Sequence, residues 1–264
     1  MITQTKKKER IHFTWSGNAE RKYFNITLPG GNIHKVNLRD TSDTESNNKS
    51  FKITATKDKL FMVVWGDDTP IEIFTGTGDF ENISHIYPND DYYSVSIIAR
   101  TADCLFTQFE CFYNQVIDID ISECLSLEWL NCSFNELTNL DTDNNSTLFF
   151  LSCSNNHLEL SDLYNATKTI NARAIKQFGN QTSIPEDISI GDSVDFSAQK
   201  EFGGISTIFS VIKEGLPASQ NDYSIIDGII TFKKAGEYTV TMTNEAIVCD
   251  INFPAKVNVK VYVL

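Results

Sequence analysis

The sequence predicts a mainly β protein: a short solenoid of three 21-residue coils with a degenerate fourth as cap, set between two β-sandwich-like modules. Three observations carry this. Segments 106–114, 127–135 and 148–156 align without a gap at a period of 21 residues. Stretches on either side alternate apolar and polar residues, as in Gly236 to Met242 and Val257 to Val263, the period of a half-buried strand. The 264 residues are 41% apolar and 11% aromatic, enough to fill the cores of two or three modules.

The repeat reads L-x-x-L-x-C-x-x-N. Phe106, Leu127 and Leu148 share one position, Phe109, Leu130 and Leu151 the next, then Cys111, Cys132 and Cys153, then Asn114, Asn135 and Asn156. Agreement continues through Val116, Leu137 and Leu158, then Ile119 and Leu140, and then Asp120, Asp141 and Asp162. A coil must bury one face of a short strand and turn its backbone through a buried corner, so the leucines and cysteines point inward. The asparagines then satisfy backbone groups that the corner strands. One cysteine per coil at one inward position is a packing column rather than a disulfide or metal pattern. The aspartates cap turns; a calcium loop over Asp141 to Asn145 lacks the glycine and terminal glutamate of an EF-hand. Twenty-one residues further on, Thr169, Ala172, Ala174 and Gln177 fall on the repeat positions as the fading cap. Three coils are near the minimum for a stable stack, so the flanking modules are expected to cover both ends. The pattern resembles the leucine-rich repeat, in the cysteine-bearing variety of internalin-like bacterial surface proteins, over residues 101–177.

Upstream, residues 1–50 form a β-rich region with strand-like stretches Ile11 to Trp15 and Tyr23 to Leu28 and a polar run from Asp40 to Ser50 expected as an exposed loop. Residues 51–100 carry Trp65-Gly66-Asp67-Asp68, then His85 and Tyr87, then Tyr93, Val95 and Ile97. This order resembles the W-G-D-G, H-x-Y and Y-x-V-x-I landmarks of PKD-like β modules; Asp68 stands where that family has glycine. Downstream, residues 183–264 resemble a bacterial immunoglobulin-like β-sandwich. Asp227-Gly228 supplies the positive backbone angles of a tight hairpin between two apolar runs, and Tyr238 is placed to close a sandwich corner.

Composition excludes several functions. A net charge of -13 repels nucleic acid, and Lys6, Lys7, Lys8 and Arg10 read as a solvated arm. The longest apolar run, Leu60 to Trp65, is strand-sized, so no membrane insertion is expected in this chain. Residues 1–12 lack the apolar core of a secretory leader; either export is absent or a leader was removed before this numbering begins. His12, His34, His85 and His157 are scattered outside any zinc or hydrolase motif, Gly30-Gly31 and Gly203-Gly204 are turn signals, and no phosphate loop exists. No cofactor and no metal is expected, and nothing in the sequence sets an oligomeric state. The nearest acid pair, Asp67 and Asp68, reads as turn chemistry.

In this register the residues between the inward positions line an open, concave sheet face. Trp129 and Phe150 fall in one column of it, Glu110 and Asn131 in the next, and Phe112 and Phe134 group toward the strand ends with Tyr113. The face is either a platform for a protein or glycan ligand, or is covered by a neighbouring module or second copy, or the Trp129–Phe150 pair serves only the sheet. With the resemblance, this implies a non-enzymatic binding or adhesion protein, extracellular or at the bacterial cell surface. The alternatives are a glycan-binding accessory component of a polysaccharide-using system and a hydrolase using Asp67 and Asp68.

Overall fold

A computed structural model describes residues 48–89 and 92–264, and before them the backbone of three strands. Among the described residues the fold is mainly β, 45% strand and 6% helix, in several sheets. β1 (His12–Trp15) and β2 (Phe24–Thr27) pair as an antiparallel ribbon. β3 (Lys35–Thr41), β4 (Asn48–Ala55), β5 (Leu60–Val64), β6 (Glu72–Thr75), β7 (Glu81–Ile86) and β8 (Tyr92–Ala99) follow. The repeats supply β9 (Phe106–Glu110), β10 (Val116–Asp120), β11 (Trp129–Asn131) and β12 (Phe150–Ser152), and β13 (Ile175–Gln177) comes after them.

These strands do not sort by the expected segments. One sheet runs β10-β3-β8-β5-β6 and another β13-β12-β11-β9-β4-β7. The expected boundary at residue 50 falls inside β4, and β4 pairs antiparallel with the first repeat strand, Ile53 opposite Phe109. The open apolar core of that repeat is thereby covered by Phe51, Ile53 and Ala55, all buried. The polar run was expected to be a loop throughout. Instead, Asp40 and Thr41 lie in β3 opposite Tyr93 and Tyr92, and Asn48 to Ser50 begin β4. Backbone pairing with strands distant in sequence overrides the polar composition there. Residues 42–47, the basic arm, His34 and Gly30-Gly31 lie outside the described residues.

The repeat strands pair parallel at a spacing of 21: Gln108, Trp129 and Phe150 lie side by side, as do Glu110, Asn131 and Ser152. Phe109, Leu130 and Leu151 face inward and are fully buried. Asn135 Oδ1 accepts the backbone N–H groups of Asn114 and Val116, both at 3.0 Å, while Nδ2 donates to the carbonyl oxygens of Cys111 and Cys132 at 2.9 and 3.0 Å. Asn156 repeats the pattern on Leu137, Cys132 and Cys153. Asn114 instead reaches upstream, donating to the Ser50 carbonyl at 2.7 Å and accepting from its N–H, so it closes the stack against β4.

The expected fourth register is corrected. β13 pairs with β12 as Ile175 with Phe150 and Gln177 with Ser152, an offset of 25 residues. The four extra residues are accommodated by the helix α1 (Leu160–Thr169), with Asp162 in its first turn closing a capping box with Glu159. Thr169 thus ends a helix, and Gln177 lies on the open face. Gln181 takes the asparagine's place: its Oε1 accepts from the N–H groups of Asn156 and Leu158, and Nε2 donates to the Cys153 and Phe178 carbonyls. Lys176 occupies the buried leucine position, where desolvation pushes its pKa down and its ammonium donates to the Ala174 carbonyl at 3.3 Å.

β14 (Asn180–Ile188) leaves the repeats directly, with Asn180 still accepting from the N–H of Asn155 at 2.7 Å, and pairs parallel with the last strand, Lys256–Val263. That strand, 236–243, 208–213 and 216–217 complete a five-stranded sheet. Strands 193–195, 229–232 and 223–226 form a three-stranded one. The hairpin at Asp227-Gly228 has φ of 51° and 82°, with Ile226 opposite Ile229. Tyr238 donates its hydroxyl to the Lys234 carbonyl at 2.9 Å, and Tyr93 does the same to Asn89 at 3.0 Å, so the two tyrosines close corners of one kind.

Candidate functional site

The outer face of the six-stranded sheet carries Trp129, Phe150, Glu110 and Asn131, while Phe112 and Phe134 lie just beyond the ends of β9 and β11. Its first row runs Ile175, Phe150, Trp129, Gln108 across four strands in register. Trp129 and Phe150, both half-buried, have ring centroids 4.9 Å apart and planes 8° from parallel. Rings this close and this parallel are stacked, so they stand on the sheet and present edges to solvent. Phe80, just before β7, closes the far side of Trp129 edge-on at 5.3 Å. Sequence reasoning missed Phe80, because its place beside Trp129 comes from the β4–β9 pairing and no local pattern reports it.

The second row is polar. Glu110 accepts from Lys52 Nζ at 2.9 Å and from Asn131 Nδ2 at 3.1 Å, so its carboxylate is held between the upstream strand and the second repeat. The Lys52 ammonium also lies 5.7 Å from the Phe80 ring centre. At the strand ends Phe112, Tyr113 and Phe134 form a separate aromatic group. They are 45%, 75% and 45% exposed, with centroids 5.3, 6.2 and 6.3 Å apart and tilts of 65°, 35° and 53°. Tyr113 and Phe134 occupy one repeat position and are left-handed at φ 56° and 57°; the third repeat puts Asn155 there at φ 56°. For a bulky residue that conformation costs roughly 1–2 kcal/mol, while asparagine adopts it readily.

Asp67 and Asp68 are structural in geometry. Asp67 lies in the connection between β5 and β6, receiving His85 Nε2 at 2.7 Å and the Thr69 hydroxyl and N–H at 2.5 and 3.2 Å. Burial opposes its charge, yet the bonds from Thr69 and His85 outweigh that and hold its pKa below the ordinary value. His85 stacks on Trp65 at 4.6 Å, and Tyr87 donates to the Trp65 carbonyl at 3.1 Å. Asp68 turns the backbone at φ 64°. Among the described residues no three His, Cys, Asp or Glu side chains gather as a metal site, and no helix is long and apolar enough to cross a membrane. Asp120 and Asp141 cap turns, accepting the N–H two residues on. Cys111, Cys132 and Cys153 are buried free thiols.

No family model matches the sequence, and no curated protein matches it. Among solved structures, the functional domain of InlJ from Listeria monocytogenes, which includes a cysteine ladder, is similar at TM-score 0.43 and 17% identity, over 60% of this chain and 34% of that one. A Listeria monocytogenes internalin-like protein gives 0.27 and 16%, over 55% and 52%. The CBM51-2 and INT domains of Clostridium perfringens ZmpB give 0.31 and 10%, over 89% and 81%. The chain thus spans about a third of the InlJ domain and about half of the internalin-like protein.

Proposed function

We propose that this chain is a non-enzymatic binding or adhesion protein of the bacterial cell surface, whose ligand lies across the outer face of the six-stranded sheet. In this reading residues 1–50 are a β-rich region, residues 51–100 a PKD-like β module, residues 101–177 a leucine-rich-repeat solenoid, and residues 183–264 an immunoglobulin-like sandwich. Trp129, Phe150, Asn131 and Glu110 are the contact centre, with Phe112 and Phe134 at its rim. The carrying observation is the Trp129–Phe150 stack, half-buried on an open face with Phe80 beside it and the Lys52–Glu110–Asn131 chain in the adjacent row. Aromatic anchors beside fixed polar groups are what a contact centre needs. A sugar ring packs best on an exposed aromatic face, and here one face of each ring is turned on the other while Phe80 stands edge-on beside Trp129. A polypeptide ligand is therefore favoured over a glycan.

The test is a paired measurement on the whole chain, its Trp129→Ala form and its Phe150→Ala form. Labelled protein is applied to epithelial cells before and after protease treatment, and to a glycan array, with melting temperatures taken alongside. Saturable, protease-sensitive cell binding that is lost in both variants, at little cost in melting temperature, supports the proposal. Binding to a defined glycan would move the protein to the accessory class. Unchanged binding by both variants would remove the site from this face.

A further inference from the structure

The two edges of the six-stranded sheet are finished differently. Beside β13 the chain covers its own edge: the Asp250 N–H donates to the Lys176 carbonyl at 2.7 Å, and the Gly179 N–H donates to the Phe253 carbonyl at 3.1 Å. β7 stands at the other edge. It pairs with β4 through six consecutive residue pairs without a bulge, and among the described residues no backbone bond reaches it from its far side. Edge strands that stay single are commonly protected by a lysine, a proline or a bulge, and residues 81–86 carry none of these.

The side chains of this open edge match themselves when the strand is reversed. Phe80, Asn82, Ser84 and Ile86 lie along the outer side, while Ile83 is buried on the inner side between Glu81 and His85. An antiparallel mate centred on Ile83 sets Phe80 against Ile86, Asn82 against Ser84, and Glu81 against His85 of the other copy. Apolar then meets apolar, polar meets polar, and no like charges are opposed. Ile86, at 73%, is the most exposed large apolar side chain in the sheet, and this mate supplies its cover.

We propose that a second copy of this chain pairs antiparallel along β7, about a two-fold axis through Ile83, and joins the two six-stranded sheets into one. Backbone N–H and C=O groups that β7 leaves open are satisfied by the same groups of its copy. A two-fold axis between antiparallel strands stands perpendicular to the sheet, so both outer faces look the same way. The dimer carries two Trp129–Phe150 stacks on one surface, which raises avidity for a ligand that reaches both. The pairing itself does not depend on a ligand at either stack.

The test is sedimentation velocity on the whole chain in about 0.5 M sodium chloride, which screens the net charge of -13 that each copy carries. A monomer–dimer equilibrium is expected below about 100 µM. In Asn82→Glu/Ser84→Glu the opposed positions carry like charges, and association should weaken at least about ten-fold. In Asn82→Glu/Ser84→Lys the same positions carry opposite charges across the axis, and association should equal or exceed that of the parent. Both double variants place the new glutamate opposite Lys52 of its own chain, so neither should melt far below the parent. Ile86→Ser removes only an exposed side chain and should weaken the dimer by a similar factor. A parent that stays monomeric at this concentration, equal association of the two double variants, or an Ile86→Ser form that associates like the parent would each overturn the proposal.

Discussion

Asn135 donates its side-chain amide to the carbonyl oxygen of Cys111 at 2.9 Å, joining residues 24 positions apart through a fully buried contact. The same side chain accepts from Asn114 and Val116, so one residue satisfies backbone groups of two repeats. Replacing it with alanine leaves several buried donors and acceptors unmatched, each costing about 1–3 kcal/mol. Asn135→Ala should therefore lose about 3 kcal/mol or more in urea unfolding. Asn165→Ala, on the exposed side of α1, should stay within about 0.5 kcal/mol of the parent.

The buried thiols give the fold a distinct alkaline limit. Desolvation raises Cys124 and Cys132 from 9.0 to about 12 and Cys104 to about 11, and pushes Cys153 well up. Below the ordinary thiol value both folded and unfolded chains keep these protons, and stability is full. As pH rises past about 9 only the unfolded chain releases them, so stability falls progressively toward pH 12. Denaturant midpoints from pH 8 to 11 should show this decline. A polar disulfide reagent at pH 8 should modify half-buried Cys249 first and the other five only on unfolding.

Removing Asp67 tests whether it serves structure. Asp67→Ala strips the acceptor from His85 Nε2 and from Thr69, charged hydrogen bonds worth about 1.5–3 kcal/mol. The melting temperature should drop accordingly. The Asp67 contribution is present above the ordinary carboxylate value of 3.8 and is lost as pH falls through its lowered folded pKa, so wild type and variant should converge in acid. A variant as stable as the parent at pH 7 would return Asp67 to the list of functional candidates.

Two glycines with similar backbone angles should respond differently to alanine. Gly228 has φ 82°, and a Cβ there would meet the Phe196 carbonyl oxygen and Ser197 Cα, both at 2.9 Å. Gly191 has φ 92° with nothing within 4 Å. Gly191→Ala should cost about 1 kcal/mol from conformation alone. Gly228→Ala adds backbone displacement at the hairpin and should cost at least about twice that in thermal unfolding.

The repeats should not fold when cut out. A fragment of residues 101–177 loses β4, whose Phe51, Ile53 and Ala55 cover the first repeat, and loses Gln181, which closes the last. Circular dichroism should find no cooperative thermal transition in it.

The 21-residue period by itself determined the register of β9, β11 and β12, the inward cysteines and the bonding role of Asn135 and Asn156, because each repeat meets the same neighbours and so needs the same residue. Asp227-Gly228 likewise announced its hairpin, since few residue pairs accept two positive φ angles in succession. Only the tertiary structure decided the ends. The shift to a 25-residue offset depends on α1 docking, with Tyr164 against Phe202 at 5.0 Å and Ser161 donating to Gln199 at 3.2 Å, contacts made with residues almost forty positions away. The union of β4 with β9, and with it the arrival of Phe80 beside Trp129, is a pairing between segments about fifty residues apart. A periodic pattern reports the environment that a chain repeats; where the repetition stops, the partner is set by which distant strand covers the exposed core, and that choice leaves no period to read.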